Sequence, residues 1–274
     1  MKIITLVENT KEDKKLKAQH GLSFYIEHGD RKILFDVGPS RAYIDNAQKL
    51  GIDLSDVDTI IISHGHSDHS KGLKYISLVN TKAKIYLSEK SLESHWLNLI
   101  VFNIDVGINL KWLQNLKERI LFVKEKQELF PNAFILPIIP TYKNLAENLR
   151  KGDKKEIDDF NHEIMFVIEK EDGLIVFTGC SHNGIVAMSE LALKEFIDKK
   201  IIALIGGFHF IKLPIINNLS KSREEVHGIA QRLKEMPIER IYSCHCTGRK
   251  GNIYLEEILG EKLEVLFAGT ILEL

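Results

Sequence analysis

The run Asp58–Ser63 is short, apolar and rich in β-branched residues, and it ends in His64-Gly65-His66-Ser67-Asp68-His69. A segment of that length and composition reads as a buried strand. Three imidazoles and a carboxylate therefore leave one strand end within six residues. Imidazole nitrogens and carboxylate oxygens are the ligands that Zn, Mn and Fe take. His64 and His66, two apart in extended chain, project to one side and can share an ion. Asp68 and His69, past the bend, can face a second. The bland alternative, a solvated polar loop, gives three histidines beside an aspartate no packing purpose.

The rest of the chain repeats the arrangement. Residues 2–7, 22–27 and 32–36 read as strands, the last two joined by a hairpin turn at Gly29-Asp30. That turn brings His20-Gly21 near Asp36-Val37-Gly38. Ser40 can cap a helix that runs to Leu50 and stops at Gly51. Asp68 can cap a helix from Ser70, and residues 84–87 form a further strand. Strands 163–169 and 174–178 form a second hairpin, whose turn sets residue 162 opposite residue 181, so His162 is expected beside Cys180 and His182. Helix 189–199 precedes strand 201–205, which leads into His209. Helix 222–235 precedes strand 240–243, which leads into His245. The tail, 263–274, reads as a closing strand pair. His64, His182, His209 and His245 thus follow four apolar strands, and in open α/β sheets ligands bind outside the strand ends.

Between 91 and 160 the pattern loosens, with helical stretches expected over 91–100 and 109–118. The segment reads as an insertion covering the site, within one domain spanning 1–274. The balance of 37 Lys and Arg against 38 Asp and Glu gives a net charge of −1, which argues against a nucleic-acid surface. The first apolar run is too short for a signal peptide, and no run reaches the ~18 residues of a membrane span. A cytoplasmic location is expected, with a small-molecule substrate and no nucleic-acid or membrane partner; the oligomeric state stays open. Three cysteines, each next to or one residue from a histidine, argue against a disulfide framework.

The motif HGHSDH after a buried strand, with LFDVG and LGIDLSDVDTIIISH upstream, resembles the signature of the metallo-β-lactamase-fold superfamily. The segments HGLSF, DDFNHE, TGCSHNGI, GGFH and CHCTG resemble a narrower branch, named for the archaeal dihydropterin ribofuranosyl-aminobenzene phosphate synthase, many of whose bacterial members are called only metal-dependent hydrolases. The resemblance implies an α/β fold, the four-layer αβ/βα sandwich, with two divalent ions, most simply Zn, with Mn or Fe as alternatives. It implies that His64, His66 and His162 hold the first ion, and Asp68, His69 and His245 the second. Where the superfamily places a bridging Asp, this chain has Cys180, with His182 two residues on. Cys180 is then either a ligand or a small buried hydrophobe.

The implied activity is hydrolysis by a hydroxide held between two ions, on a phosphate ester or related small molecule, with Asp68 and His182 as catalytic residues. His209 and His20 are candidate substrate contacts, against plain turn or pocket positions. Asp36 is expected to support the site by accepting a ligand histidine's second N–H. Cys244 and Cys246 are read as structural neighbours of His245, and His28, His95 and His227 as surface residues. The basic stretch Arg150–Lys155 is a solvated face or a phosphate contact. Two other functions stay open: a transferase condensing a dihydropterin pyrophosphate with a ribofuranosyl-aminobenzene phosphate, and a non-catalytic metal-containing sensor.

Overall fold

A computed structural model describes residues 1–99, 102–140, 148–213 and 218–274. Alternation along the strands builds its layers. In Arg31–Phe35, Ile33 and Phe35 turn into one apolar cluster while Leu34 turns into another. In Ile164–Lys170, Phe166 and Ile168 enter the first of these while Met165 and Val167 enter a third. A period of two places successive side chains on opposite faces. Each strand is thus buried on both faces, which requires a partner sheet on one side and helices on the other.

The partner sheets each have seven strands. One runs in the order Ile271–Glu273, Lys2–Val7, Ser23–His28, Arg31–Phe35, Thr59–Ile61, Lys84–Ser88, Ile120–Val123. The other runs Leu263–Val265, Ile238–Ser243, Ile201–Gly206, Gly173–Phe177, Ile164–Lys170, Ala133–Pro137, Gln127–Phe130. Phe24, Phe35 and Ile61 of the first meet Phe166, Phe177 and Ile205 of the second in the shared core. Helix Ala42–Lys49 packs outside the first sheet. Helices Ile185–Glu195, Arg223–Glu235 and Gly248–Leu259 pack outside the second. This is the four-layer sandwich expected from the resemblance. No helix among the described residues is long and apolar enough to cross a membrane.

Local chemistry explains most element ends. Ser40 Oγ accepts from the Ala42 N–H at the first helix, and Ser222 with Glu225 forms a full capping box at Arg223–Glu235. The pairs His28 with Arg31 and Lys170 with Gly173 fix both hairpins with two-residue turns. Helix Gly248–Leu259 was not anticipated.

The structure departs from the local pattern in four places. Residues 95–99 form a strand, not the helix expected over 91–100, because Leu149–Lys151 and Phe102–Asp105 pair with it on either side. Over 109–118 a single α-turn, Leu110–Leu113, gives way to a 3-10 helix. The tail strands Leu263–Val265 and Ile271–Glu273 do not pair with each other; each closes the edge of a different sheet. Residues 91–160 are not one inserted body either, because 120–123, 127–130 and 133–137 are strands of the main sheets. What lies outside the sandwich is a four-stranded antiparallel cap, Glu156–Ile157, Leu149–Lys151, His95–Leu99, Phe102–Asp105. Residues 100–101 and 141–147 of the segment lie outside the described residues.

Candidate metal centre

Five strands deliver chemistry at one rim of the sandwich. Thr59–Ile61 leads into His64–His69, Gly173–Phe177 into Cys180 and His182, Ile201–Gly206 into His209, and Ile238–Ser243 into His245. Arg31–Phe35 leads into Asp36. The rim is strained: Asp36, Phe160, Ser181, His209 and His245 all have φ between 48° and 59°. Non-glycine residues enter that region at a cost of about 1 kcal/mol or more, and such residues cluster at functional sites. The sheets also approach closely. A Cβ on Gly179 would lie 2.1 Å from Ser63 Oγ, so no other residue fits there.

Two groups of donors sit side by side on this rim. His64, His66 and His182 form one, all buried. Asp68, His69, Cys180 and His245 form the other, buried except for Asp68, whose side chain is 24% exposed. His64 Nε2 lies 3.3 Å from His182 Nε2. His69 Nε2 lies 3.1 Å from His245 Nε2 and 3.2 Å from Cys180 Sγ, and Asp68 Oδ2 lies 3.2 Å from His245 Nε2. Donors bound to one ion at about 2.1 Å in a tetrahedron are about 3.4 Å apart. The spacing fits a divalent cation in each group.

The opposite edges of the rings decide which nitrogens are free. Asp36 Oδ2 accepts from His69 Nδ1–H at 2.6 Å and from the Ser63 hydroxyl at 2.7 Å. Ser63 Oγ in turn accepts from His64 Nδ1–H at 2.9 Å. One buried carboxylate thereby takes the Nδ1 protons of a histidine from each group, directly for His69 and through Ser63 for His64, and turns both Nε2 atoms toward the rim. His245 Nδ1–H donates to Asn9 Oδ1 at 3.0 Å, while the His245 N–H donates to Glu8 at 2.8 Å. Glu163, fully buried, accepts from the His182 and Asn183 N–H groups at 2.9 and 3.0 Å and from Asn183 Nδ2. The His182 ring stacks on Phe160, 4.2 Å between centroids and 4° from parallel. Burial, with neighbouring histidines, depresses the pKa values of His64 and His182.

His182, not His162, shares a donor group with both His64 and His66; His162 is grouped with His66, His95 and Asp158. His162 Nδ1 accepts the Gly65 N–H at 2.9 Å and its Nε2–H faces Asp158 at 3.3 Å, so both nitrogens are engaged. The hairpin does carry His162 to the level of residue 181, but the ring turns toward His95 instead, 4.2 Å away. Asp68 does not cap its helix. It lies within the turn Ser67–Ser70, capped at His66, and its carboxylate faces the rim. His95 is completely buried, not a surface residue. His28 and His227 are half-exposed, and Cys244 is in the core between the sheets.

A cavity of about 160 Å³ opens over both groups, with His66, Asp68, Cys180 and His182 on its floor. His20 and His209 line its walls, His20 Nε2 3.4 Å from Asp68 Oδ2. Leu97 and Leu149 of the cap supply an apolar side, and Lys212 a cation. The Arg150–Lys155 stretch is a cap hairpin outside it, where Lys151 pairs with Asp159 at 2.6 Å. Glu8, Asn9, Ser63, Asp158 and Glu163 were not foreseen as supporting residues. Glu8 and Asn9 follow the apolar strand Lys2–Val7, so the rule that found the histidines would have found them.

Residues 16–183 match the model of the metallo-beta-lactamase superfamily. A "7,8-dihydropterin-6-methyl-4-(beta-D-ribofuranosyl)-aminobenzene-5'-phosphate synthase" of Methanocaldococcus jannaschii is 30% identical, the alignment covering 100% of this chain and 96% of that one. The crystal structure of a metal-dependent hydrolase of the beta-lactamase superfamily superposes with a TM-score of 0.84 at 29% identity, covering 100% of this chain and 99% of the other. Zn-bound PqqB of Methylobacterium extorquens shares the fold, with a TM-score of 0.61 at 12% identity over both whole chains. The family match takes in the His64–His69 turn, Cys180 and His182 together, and on that ground the chain belongs to the metallo-beta-lactamase superfamily.

Proposed function

We propose that this protein is a metal-dependent hydrolase of a phosphate ester or related small molecule, working with two divalent ions, Zn in the first instance. The observation that carries the reading is that both donor groups share the floor of one open cavity. A sensor would need no such access. His64, His66 and His182 would hold one ion, and Asp68, His69, Cys180 and His245 the other. Ions there would supply Lewis acidity, polarising a phosphoryl oxygen and acidifying water.

The chain's own part is orientation and proton handling. Asp36, Ser63 and Asn9 keep protons on Nδ1 of His64, His69 and His245, so that Nε2 of each is available. Asp68 lines the cavity with Oδ2 turned to His245, which leaves its other carboxylate oxygen for the proton of an attacking water. His182 is assigned to the ion group, not to proton transfer, because its Nε2 faces His64. Leu97 and Leu149 exclude water from one side, while His20, His209 and Lys212 would meet an anionic substrate.

Assay of phosphodiester, lactone and β-lactam model substrates with Zn²⁺ or Mn²⁺ tests the reading; bound metal without turnover of any of them sinks it. The name of the 30% identical relative supports a second reading, transfer from a dihydropterin pyrophosphate. Product formation from that diphosphate with a ribofuranosyl-aminobenzene phosphate, in the absence of model hydrolysis, would select it.

A further inference from the structure

The cap has two faces of opposite character. Its strands Phe102–Asp105, His95–Leu99 and Leu149–Lys151 lie side by side, and Leu97 is registered against Ile104 on one side and Leu149 on the other. Directly opposed residues of antiparallel strands share a face. Leu99 is registered against Phe102, and the period of two puts that pair on the same face as Leu97 and Ile104. The alternate positions, Asn98, Asn103 and Asp105, are polar and fall on the other face. Leu97 and Leu149 line the cavity above the donor groups, as does Val106, two residues past Ile104. The apolar face is therefore the one turned to the site.

That face runs on beyond the cavity. Ile104 is 39% exposed and Phe102 59%. Single exposed apolar side chains need no explanation, but these two continue a strip that begins over the rim. The strip is also fixed to the rim: the Ser67 N–H donates to the Val106 carbonyl at 2.7 Å, and the Val106 N–H to the His95 carbonyl at 2.9 Å. His20, His209 and Lys212 give the same cavity a side of imidazoles and an ammonium group. The cavity holds about 160 Å³. An apolar cavity of about 150 Å³ takes one benzene ring. A phosphoryl group over the donors thus leaves room for only the first few carbons of the alcohol it is esterified to. Beyond them the strip offers ~7 Å of hydrocarbon contact, two residues along each strand.

We infer that the substrate is a phosphate ester of an apolar alcohol, with its phosphate over the two donor groups and its hydrocarbon along Leu97, Leu149, Ile104 and Phe102. The inference rests on the hydrolase reading above and names its substrate class. Leu97 and Leu149 select for hydrocarbon next to the phosphate, and Ile104 and Phe102 extend the preference to longer chains. Sugar phosphates are selected against, because their hydroxyls would lose water on that face without gaining partners.

Calorimetric titration of the zinc-loaded protein with inorganic phosphate and with ethyl, butyl and hexyl phosphate tests this without turnover. Affinity is expected to rise about 2- to 4-fold per added methylene. The binding heat capacity should become more negative along the series. Ribose 5-phosphate should bind no more tightly than inorganic phosphate. The double variant Phe102→Ser, Ile104→Asn changes two exposed positions; it should keep the ethyl phosphate affinity and cut the gain from ethyl to hexyl at least 5-fold. Affinity independent of chain length, ribose 5-phosphate as tight as hexyl phosphate, or a gain that the double variant retains overturns the inference and leaves the hydrolase reading standing. A dimer that the double variant dissolves, with no chain-length dependence, assigns the strip to a second copy of the chain and overturns it as well. Zinc-loaded protein that binds none of these phosphates and turns over no model ester overturns the hydrolase reading and the inference with it.

Discussion

The two donor groups are held in different ways. In the group of Asp68, His69, Cys180 and His245, both imidazoles donate directly to an acceptor, His69 to a buried carboxylate at 2.6 Å and His245 to Asn9 at 3.0 Å. In the group of His64, His66 and His182, support is indirect. His64 reaches Asp36 only through Ser63, His66 stands 3.8 Å from Asp158, and His182 Nδ1 has no hydrogen-bond partner among the described residues. Partners of this kind typically change metal affinity by 10- to 100-fold when removed. The lesson is that two donor groups on one rim can differ in preorganisation, and that the difference lies behind the donors, where it would set the order in which ions bind.

Asp36 is the point at which the contrast can be broken most completely, since it serves both groups. Asp36→Ala strips the acceptor from His69 Nδ1, Ser63 Oγ and the Ser63 N–H. A buried donor left without a partner costs about 1–3 kcal/mol. Both zinc steps are expected to weaken by 100-fold or more in a chelator titration, and a loss confined to one step would contradict the shared role. Asn9→Ala should act on one group only. The tighter step is expected to weaken by about 10-fold or more while the looser step stays, which the same titration reads. Phe160→Leu is milder. It removes the ring stacked on His182, a contact of about 0.5–1.5 kcal/mol, and should weaken only the looser step, by about 3- to 10-fold.

How much of this was legible in the sequence follows the range of the forces involved. Strand ends are local: an apolar run followed by His or Asp announces His64–His69, Asp36, His209 and His245 without any tertiary knowledge. Two-residue turns are local as well, and placed residue 162 level with residue 181. Ring direction is not local. Whether His162 or His182 joins His64 depends on the Gly65 N–H and on Asp158, residues 97 and 4 positions away from His162, which pair with its two nitrogens. From the sequence His95 reads as a surface residue, because the cap strand that buries it exists only through pairing with Leu149–Lys151. The helix expected over 91–100 failed for the same reason, a local preference losing to strand neighbours.

Protons carry the contrast between the groups in its finest form. Burial alone would lower the pKa of His69, but Asp36 and Asp68 outweigh it and raise it to about 9. Burial pushes the Cys180 thiol up. Near neutral pH the ion-free second group therefore holds a proton on His69 and another on Cys180, whereas His64, His66 and His182 are neutral. Ligands must shed such protons to bind a metal. Calorimetric zinc titration in buffers of different ionisation enthalpy should register about two protons released in the tighter step and none in the looser. Cys180→Ser should lower the first figure to about one; an unchanged figure would remove Cys180 from the ligand set. The same proton on His69 gives the ion-free protein a stability that is complete below about pH 6.5 and lost as pH rises through about 9. His162, held by burial to about 3, contributes in the opposite sense, fully above about pH 6.5 and progressively less as pH falls through its folded value. The Tm of the ion-free protein should accordingly pass through a maximum near pH 6.5. Zinc should flatten the alkaline limb, because the ion replaces the proton whose loss creates it, and an alkaline limb that survives zinc would place the charge elsewhere than His69.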